Sequence, residues 1–312
     1  ISDKAASQGS IFSFQFPTNT FADTDIAYSG DNLTYSATLS NGSSLPSWLS
    51  LNSSNRTFSG TPSNSDVGTI AVNLIATDSS GASVSDTFNI TVSNTNDAPT
   101  VANTIANQST AEDSSFSYQV PSNTFTDVDS GTTLTYTATL SNGSSLPSWL
   151  SFNASTRTFS GTPTNSEVGT IAVKVTASDG TASVFDTFNI TVTNTNDAPT
   201  VANSIPNQSA GEGNSFSYQI PNNTFFDIDS GDSFTYTATL SNGSSLPSWL
   251  SFNSSNQTLS GTPPSSAIGT TAIKITATDS GNSSIHSVFN LVVSSNNQPT
   301  NLSLSSASVQ EG

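Results

Sequence analysis

The chain of 312 residues has no cysteine, a single histidine and only five cationic side chains, Lys4, Lys174, Lys274, Arg56 and Arg157. Without cysteine there can be no disulfide, no thiolate metal site and no cysteine nucleophile. With five cations set against 22 acids, a net charge of −17, the surface cannot neutralise phosphates. That argues against nucleic acid and against an anionic membrane surface as partners. No apolar run reaches the roughly 18 residues of a membrane span, so no membrane insertion is expected. No signal peptide is recognisable, and Ile1 reads as part of a strand, which implies a cut or processed end. A Ser-His-Asp arrangement could be built once at most, around His286, whose counterparts in the other copies are not histidines. The chain is therefore read as non-enzymatic.

What is present is repetition. Leu45-Pro46-Ser47-Trp48-Leu49-Ser50 recurs at Leu146 and again at Leu246, spacings of 101 and 100 residues. Ser59-Gly60-Thr61-Pro62 recurs at Ser160 and Ser260, and Asn94-Thr95-Asn96-Asp97-Ala98-Pro99 recurs at Asn194 and, weakened, over Ser295 to Pro299. The period is too long for a solenoid unit and suits an independent domain. The boundaries expected are 1–98, 99–198 and 199–298, with 299–312 opening a fourth copy. Within a copy the periodicity is that of strands: Phe116, Tyr118 and Val120 alternate with polar residues, as do Ile171, Val173 and Val175, then Phe188, Ile190 and Val192. Turn clusters such as Asn142-Gly143-Ser144 separate them. The reading is all-β: three tandem seven-stranded Greek-key β-sandwiches, arranged end to end. One Trp per copy, flanked by apolar residues, is expected in the core.

The acids recur with the repeat. Asp23-Thr24-Asp25, Asp127-Val128-Asp129 and Asp227-Ile228-Asp229 form one D-x-D per copy. Asp78, Asp179 and Asp279 each end an A-x-D, Asp97 and Asp197 sit in the linkers, and Glu112, Glu212 and Glu311 open their copies; together these are 14 of the 22 acids. On an extended segment both carboxylates of D-x-D would point the same way and reach one ion. Carboxylates and carbonyls without His or Cys suit a hard cation, Ca²⁺ above Mg²⁺.

The ordered set N-x-N-D-x-P, D-x-D, A-x-D and early Glu resembles the cadherin repeat. The string W-L-x-[FL]-N followed by S-G-T-P resembles the dystroglycan-type cadherin-like domain of large bacterial surface proteins, along the whole chain. This resemblance implies a Ca²⁺ site at each module boundary. Carried over, the first junction would use Asn94, Asn96, Asp97, Asp127, Asp129 and Asp179. The second would use Glu112, Asn194, Asn196, Asp197, Asp227, Asp229 and Asp279. Glu212, Asp23, Asp25 and Asp78 belong to the same motifs. Departures stand out: Gln8 occupies the early-Glu position of the first copy, Asn52, Asn153 and Asn253 stand nearest to where cadherins carry an acidic pair, and Asn297 replaces the linker Asp after the third. The implied function is a Ca²⁺-stiffened extracellular stalk or adhesion region whose partners are adjoining modules. A filament or surface layer of like subunits, and a Ca²⁺-dependent glycan-binding module, stay open as alternatives.

Overall fold

The computed structural model describes residues 1–24 and 32–295. Asp25, the Asn297 linker and the expected fourth copy lie outside them. The chain divides into two compact units, one of residues 1–108, 115–161 and 170–191, the other of 109–114, 162–169 and the chain from 192 onward. Each is described by itself.

In the first repeat the strands are β1 (Lys4–Ser7), β2 (Phe12–Gln15), β3 (Thr34–Leu39), β4 (Leu49–Asn52), β5 (Thr57–Gly60), β6 (Gly68–Thr77) and β7 (Ser83–Ser93). They form two sheets, β1-β7-β6-β3 and β2-β5-β4. All pairings are antiparallel except β1 with β7, which run parallel. The alternation read in the sequence sets which side chains face inward. Val72, Leu74 and Ala76 of β6 and Phe88, Ile90 and Val92 of β7 are buried, and their neighbours are not. Facing strands meet at Phe58 and Phe88, packed edge to face with ring centroids 5.7 Å apart.

The second repeat comprises β8 (Thr100–Val101), β9 (Gln108–Ala111), β10 (Phe116–Gln119), β11 (Phe125–Thr126), β12 (Thr135–Leu140), β13 (Leu150–Asn153), β14 (Thr158–Gly161), β15 (Gly169–Ser178) and β16 (Ser183–Thr193). The third comprises β17 (Thr200–Val201), β18 (Gln208–Gly211), β19 (Phe216–Gln219), β20 (Phe225–Phe226), β21 (Thr235–Leu240), β22 (Leu250–Asn253), β23 (Thr258–Gly261), β24 (Gly269–Thr278) and β25 (Ser284–Ser294). The two-sheet plan recurs, with β18-β25-β24-β21 and β19-β23-β22 in the third repeat. The seven expected strands gain a short ribbon here, β8 with β11 and β17 with β20, placed just before each D-x-D. Each repeat has its own apolar core, centred on Phe58, Phe159 and Leu259, all fully buried. Burying one such side chain is worth about 1.5–3 kcal/mol.

The recurring motifs now have a physical cause. Gly60, Gly161 and Gly261 lie opposite Leu49, Leu150 and Leu250 in the ladder, and a Cβ at any of them would fall 1.6–1.9 Å from the carbonyl oxygen of the neighbouring Trp48, Trp149 or Trp249. The S-G-T-P glycine and the W-L dipeptide are thus two halves of one close contact. The tryptophans are half-buried, leaning on the core through pairs such as Phe116–Trp149 and not filling its centre. His286 is exposed on β25.

Candidate metal centre

The described D-x-D, linker and early-Glu residues are brought together by backbone that the sequence motifs set up. In the second unit, Glu112 follows β9, and its N–H donates to Thr193 O at 3.0 Å. Its Oε1 accepts from Thr195 N at 2.7 Å. The linker then turns at Asp197, whose N–H donates to Asp229 Oδ2 at 2.8 Å. Asn165 rides on a short 3-10 turn, Asn165–Glu167, held by Thr164 N–H donating to Glu167 Oε2 at 2.8 Å. From there Asn165 Nδ2 donates to Asp229 Oδ1 at 2.8 Å. Those bonds to Thr164 hold the Glu167 carboxyl below its ordinary pKa.

Two carboxylate groups result. One oxygen each from Glu112, Asp197 and Asp229 lies within 4.8 Å of the others, and so do oxygens of Asp227, Asp232 and Asp279. Glu112 is 1% exposed, yet its Oε2 has no hydrogen-bond partner, and neither do the buried Oδ2 atoms of Asp227 and Asp232. A buried ionised oxygen left unpaired is costly, so such atoms call for a positive partner. The electrostatics agree. Desolvation first, then the charges of Asp229, Asp113 and Asp227, raise the pKa of Asp197 above its ordinary value. Oxygens this close can converge on one hard cation; Ca²⁺ takes such ligands at roughly 2.3–2.6 Å and Mg²⁺ at about 2.0–2.1 Å. The donor set is all oxygen, and both groups fit a hard divalent cation.

The expectation that both D-x-D carboxylates share one ion needs correction. The segment is bent, not extended: Asp229 N–H donates to Asp227 Oδ1 at 3.0 Å. Asp229 therefore joins Glu112 and Asp197, while Asp227 joins Asp232 and Asp279. Asn196 takes part as a donor, its Nδ2 bonding Asp279 Oδ2 at 3.1 Å and Asp197 O at 2.9 Å.

The first unit holds the counterpart. Asp97 N–H donates to Asp129 Oδ2 at 2.8 Å, Asn64 Nδ2 to Asp129 Oδ1 at 3.1 Å, and Asn96 Nδ2 to Asp179 Oδ2 at 3.0 Å. Asp129 N–H bonds Asp127 Oδ1 at 2.8 Å, and Asp127 Oδ2 is buried without a partner. Hydrogen bonds from Ala182 and Thr181 N–H, then from Asn96, lower the Asp179 pKa. Among the described residues, this junction gathers no group of three carboxylates. Gln8 stands in the Glu112 position and bonds Asp97 Oδ2 through its Nε2 at 2.6 Å.

The remaining residues named from sequence are placed as follows. Asp23 and Asp78 line one surface hollow with Phe21 and Leu33. Asp78 Oδ1 accepts from Ala82 N–H and Ser80 Oγ, both at 2.8 Å, as turn chemistry would have it. Glu212 N–H donates to Ser294 O at 2.9 Å, beside linker residues outside the described range. Asn94 and Asn194 are exposed. Four participants were not foreseen: Asp113, Asp232, Asn64 and Asn165. Asp113 has a positive φ of 55°, as Gly9 (70°) and Gly213 (73°) do at the same place, and the aligned copies show an acid there among glycines. Asn64 and Asn165 recur two residues after S-G-T-P in copies one and two, which could have drawn notice.

With the geometry in hand, likeness to known proteins can be weighed. The family model described as "Putative Ig domain" matches residues 1–93, 98–193 and 198–294. This chain belongs to that family. Its three Ig domains coincide with the three sandwiches described above. The chain is 36% identical over 186 residues to the "Serine-rich adhesin for platelets" of Staphylococcus aureus (strain USA300), a match covering 59% of this chain. It spans only 7% of that relative's length. Among solved structures, protocadherin gammaB7 EC3-6 superposes with a TM-score of 0.54 at 19% identity, covering 84% of this chain and 66% of that one. The protocadherin gamma B7 extracellular cadherin domains 1-4 give 0.52 at 14% identity, covering 95% and 75%. These likenesses establish an Ig/cadherin-like sandwich; the dystroglycan subtype finds no support in them. No helix among the described residues is long and apolar enough to cross a membrane.

Proposed function

We propose that this chain is a non-catalytic repeat region of a large extracellular surface protein, serving as a stalk or adhesive segment that Ca²⁺ stiffens at a module boundary. One observation carries the reading: the Glu112–Asp197–Asp229 group, with Glu112 fully buried and its Oε2 unpaired. Seven acids, Glu112, Asp113, Asp197, Asp227, Asp229, Asp232 and Asp279, surround the linker of the second unit with no cation from the five that the chain possesses. A divalent ion would neutralise that charge and tie linker, early Glu and D-x-D into one body. Similarity to an adhesin, the family of Ig domains and the scarcity of basic side chains that could activate a hydroxyl all favour an architectural role.

The affinity expected of an extracellular module is about 10⁻⁴–10⁻³ M. At about 10 mM Ca²⁺ such a site stabilises the folded state by about 1.4–2.7 kcal/mol. Small-angle scattering and thermal melting in Ca²⁺ and in chelator test the proposal together. Chelation should broaden the conformational distribution and lower the melting temperature by about 6–20 °C for a domain of this size. An unchanged scattering profile together with an unchanged melt would refute the stiffening role.

A further inference from the structure

The two junctions differ at the terminal atom of one shared side-chain position, and that atom points to opposite modes of locking. Gln8 and Glu112 hold the same structural place. The N–H of each donates to the last residue of the long strand that closes its own repeat, Ser93 O and Thr193 O, at 3.0 Å in both cases. One side-chain oxygen of each accepts from the linker threonine, Thr95 N at 3.2 Å and Thr195 N at 2.7 Å. The remaining terminal atom is an amide nitrogen in one and a carboxylate oxygen in the other. Gln8 Nε2 donates to Asp97 Oδ2 at 2.6 Å. Glu112 Oε2 is buried without a donor, in a residue whose carboxylate lies with those of Asp197 and Asp229.

The orientation of the Gln8 amide is dictated by its neighbours. Flipped, it would set oxygen against the Asp97 carboxylate and nitrogen against the Thr95 N–H, two repulsive contacts in place of two hydrogen bonds. A second substitution runs the same way. Thr132 and Asp232 both donate N–H to the D-x-D residue three positions earlier, at 3.3 Å, but only Asp232 adds a third carboxylate, to Asp227 and Asp279. Asp127 Oδ2 is buried and unpaired like Asp227 Oδ2, but among the described residues no third carboxylate gathers beside it. Copy one thus closes on copy two with a hydrogen-bond donor where copy two closes on copy three with an anion.

We propose that the residue at position 8 or 112 decides whether a junction needs a metal: Gln8 makes the first junction a cation-independent lock, and Glu112 makes the second a lock that closes on a divalent cation. The inference rests on the cation reading above and adds to it which junction responds and why. The amide donor at the first junction does the work that the ion does at the second. Along one chain, Ca²⁺ then acts at a chosen joint and leaves the neighbouring joint fixed.

The test uses the full chain, stripped with chelator, in three forms: wild type, Glu112→Gln and Gln8→Glu. CaCl₂ is titrated calorimetrically, and each form is melted in chelator and in CaCl₂. The expected results are that Glu112→Gln weakens the strongest binding event at least tenfold and melts higher than wild type in chelator. Gln8→Glu should gain a binding event, melt lower in chelator and recover in CaCl₂. A Gln8→Glu chain that folds only with CaCl₂ present supports the proposal equally. If wild type binds Ca²⁺ and Glu112→Gln binds it as tightly with the same chelator melt, the proposal fails while the cation reading stands. If wild type binds no Ca²⁺, the cation reading fails and takes this proposal with it.

Discussion

Replacing Gly161 with alanine should damage the second repeat out of proportion to the one methyl added. The new Cβ would sit 1.8 Å from Trp149 O and 2.9 Å from its carbonyl carbon, where Cβ contacts below 3.0 Å are essentially never found. Relief requires the two chain segments to part by more than about 1 Å, a large fraction of the slack in a ladder spaced at about 4.7–4.9 Å. Gly161 is paired with both Leu150 and Phe116, so both neighbours of β14 are disturbed. Neither contact is with a flexible side chain that could swing away. Overpacking of this kind costs about 1–3 kcal/mol, and a weakened ladder hydrogen bond adds about 1 kcal/mol. A total of about 3 kcal/mol corresponds to a fall of about 12–24 °C for a domain of this size. Differential scanning calorimetry of the whole chain reads it: one repeat should melt early while the others hold. Ser160→Ala, at the exposed neighbouring position, is the control and should change stability by less than about 0.5 kcal/mol. A Gly161→Ala chain melting within about 2 °C of wild type would show that the Trp149–Gly161 approach is not as described.

Other consequences follow from the same packing and charge. Phe159→Ala, at a fully buried centre flanked by Phe152 and Phe188, should cost about 3–5 kcal/mol in chemical unfolding, whereas Phe159→Leu should cost far less because Leu259 already fills the equivalent site. Asp3 accepts from Asn89 N–H at 2.8 Å, the bond that Asn107 and Asn207 make in the later copies, and that bond lowers its pKa below 3.8. With the folded value below the unfolded one, its stabilisation is present above pH 3.8 and is lost as pH falls through the lowered value. Melting curves of Asp3→Asn against wild type should therefore converge or cross as the pH drops below 3.8, and parallel curves over that range would contradict the linkage.

Much of the fold was legible because burial follows period two: Val173 and Val175 point inward as their alternation predicted, and Ala177 continues the row. The motif glycine was visible as a repeat, but its reason, the Trp carbonyl, depends on two strands closing on each other. The site was only half legible. Repetition marked Asp129 and Asp179, whose counterparts recur in every copy, and Asp97, whose counterpart recurs once, at Asp197. Asp113 occurs in one copy only and the Ser-Gly-Asp of Asp232 is absent from copy two, so neither stands out as part of the repeat. The D-x-D spacing suggested a shared direction, and the bend fixed by the Asp227–Asp229 hydrogen bond sent the two carboxylates to different groups. Gln8 read as a ligand lost. In three dimensions its amide bonds Asp97, the residue it had seemed to abandon.

The central claim is that a divalent cation joins Glu112, Asp197 and Asp229. Diffraction from crystals of the chain grown in about 10 mM CaCl₂, well above the expected dissociation constant, measures it most directly. A peak with oxygen ligands from all three carboxylates at about 2.3–2.6 Å is the expected result. Well-ordered carboxylates with no peak between them, at that concentration, would contradict it.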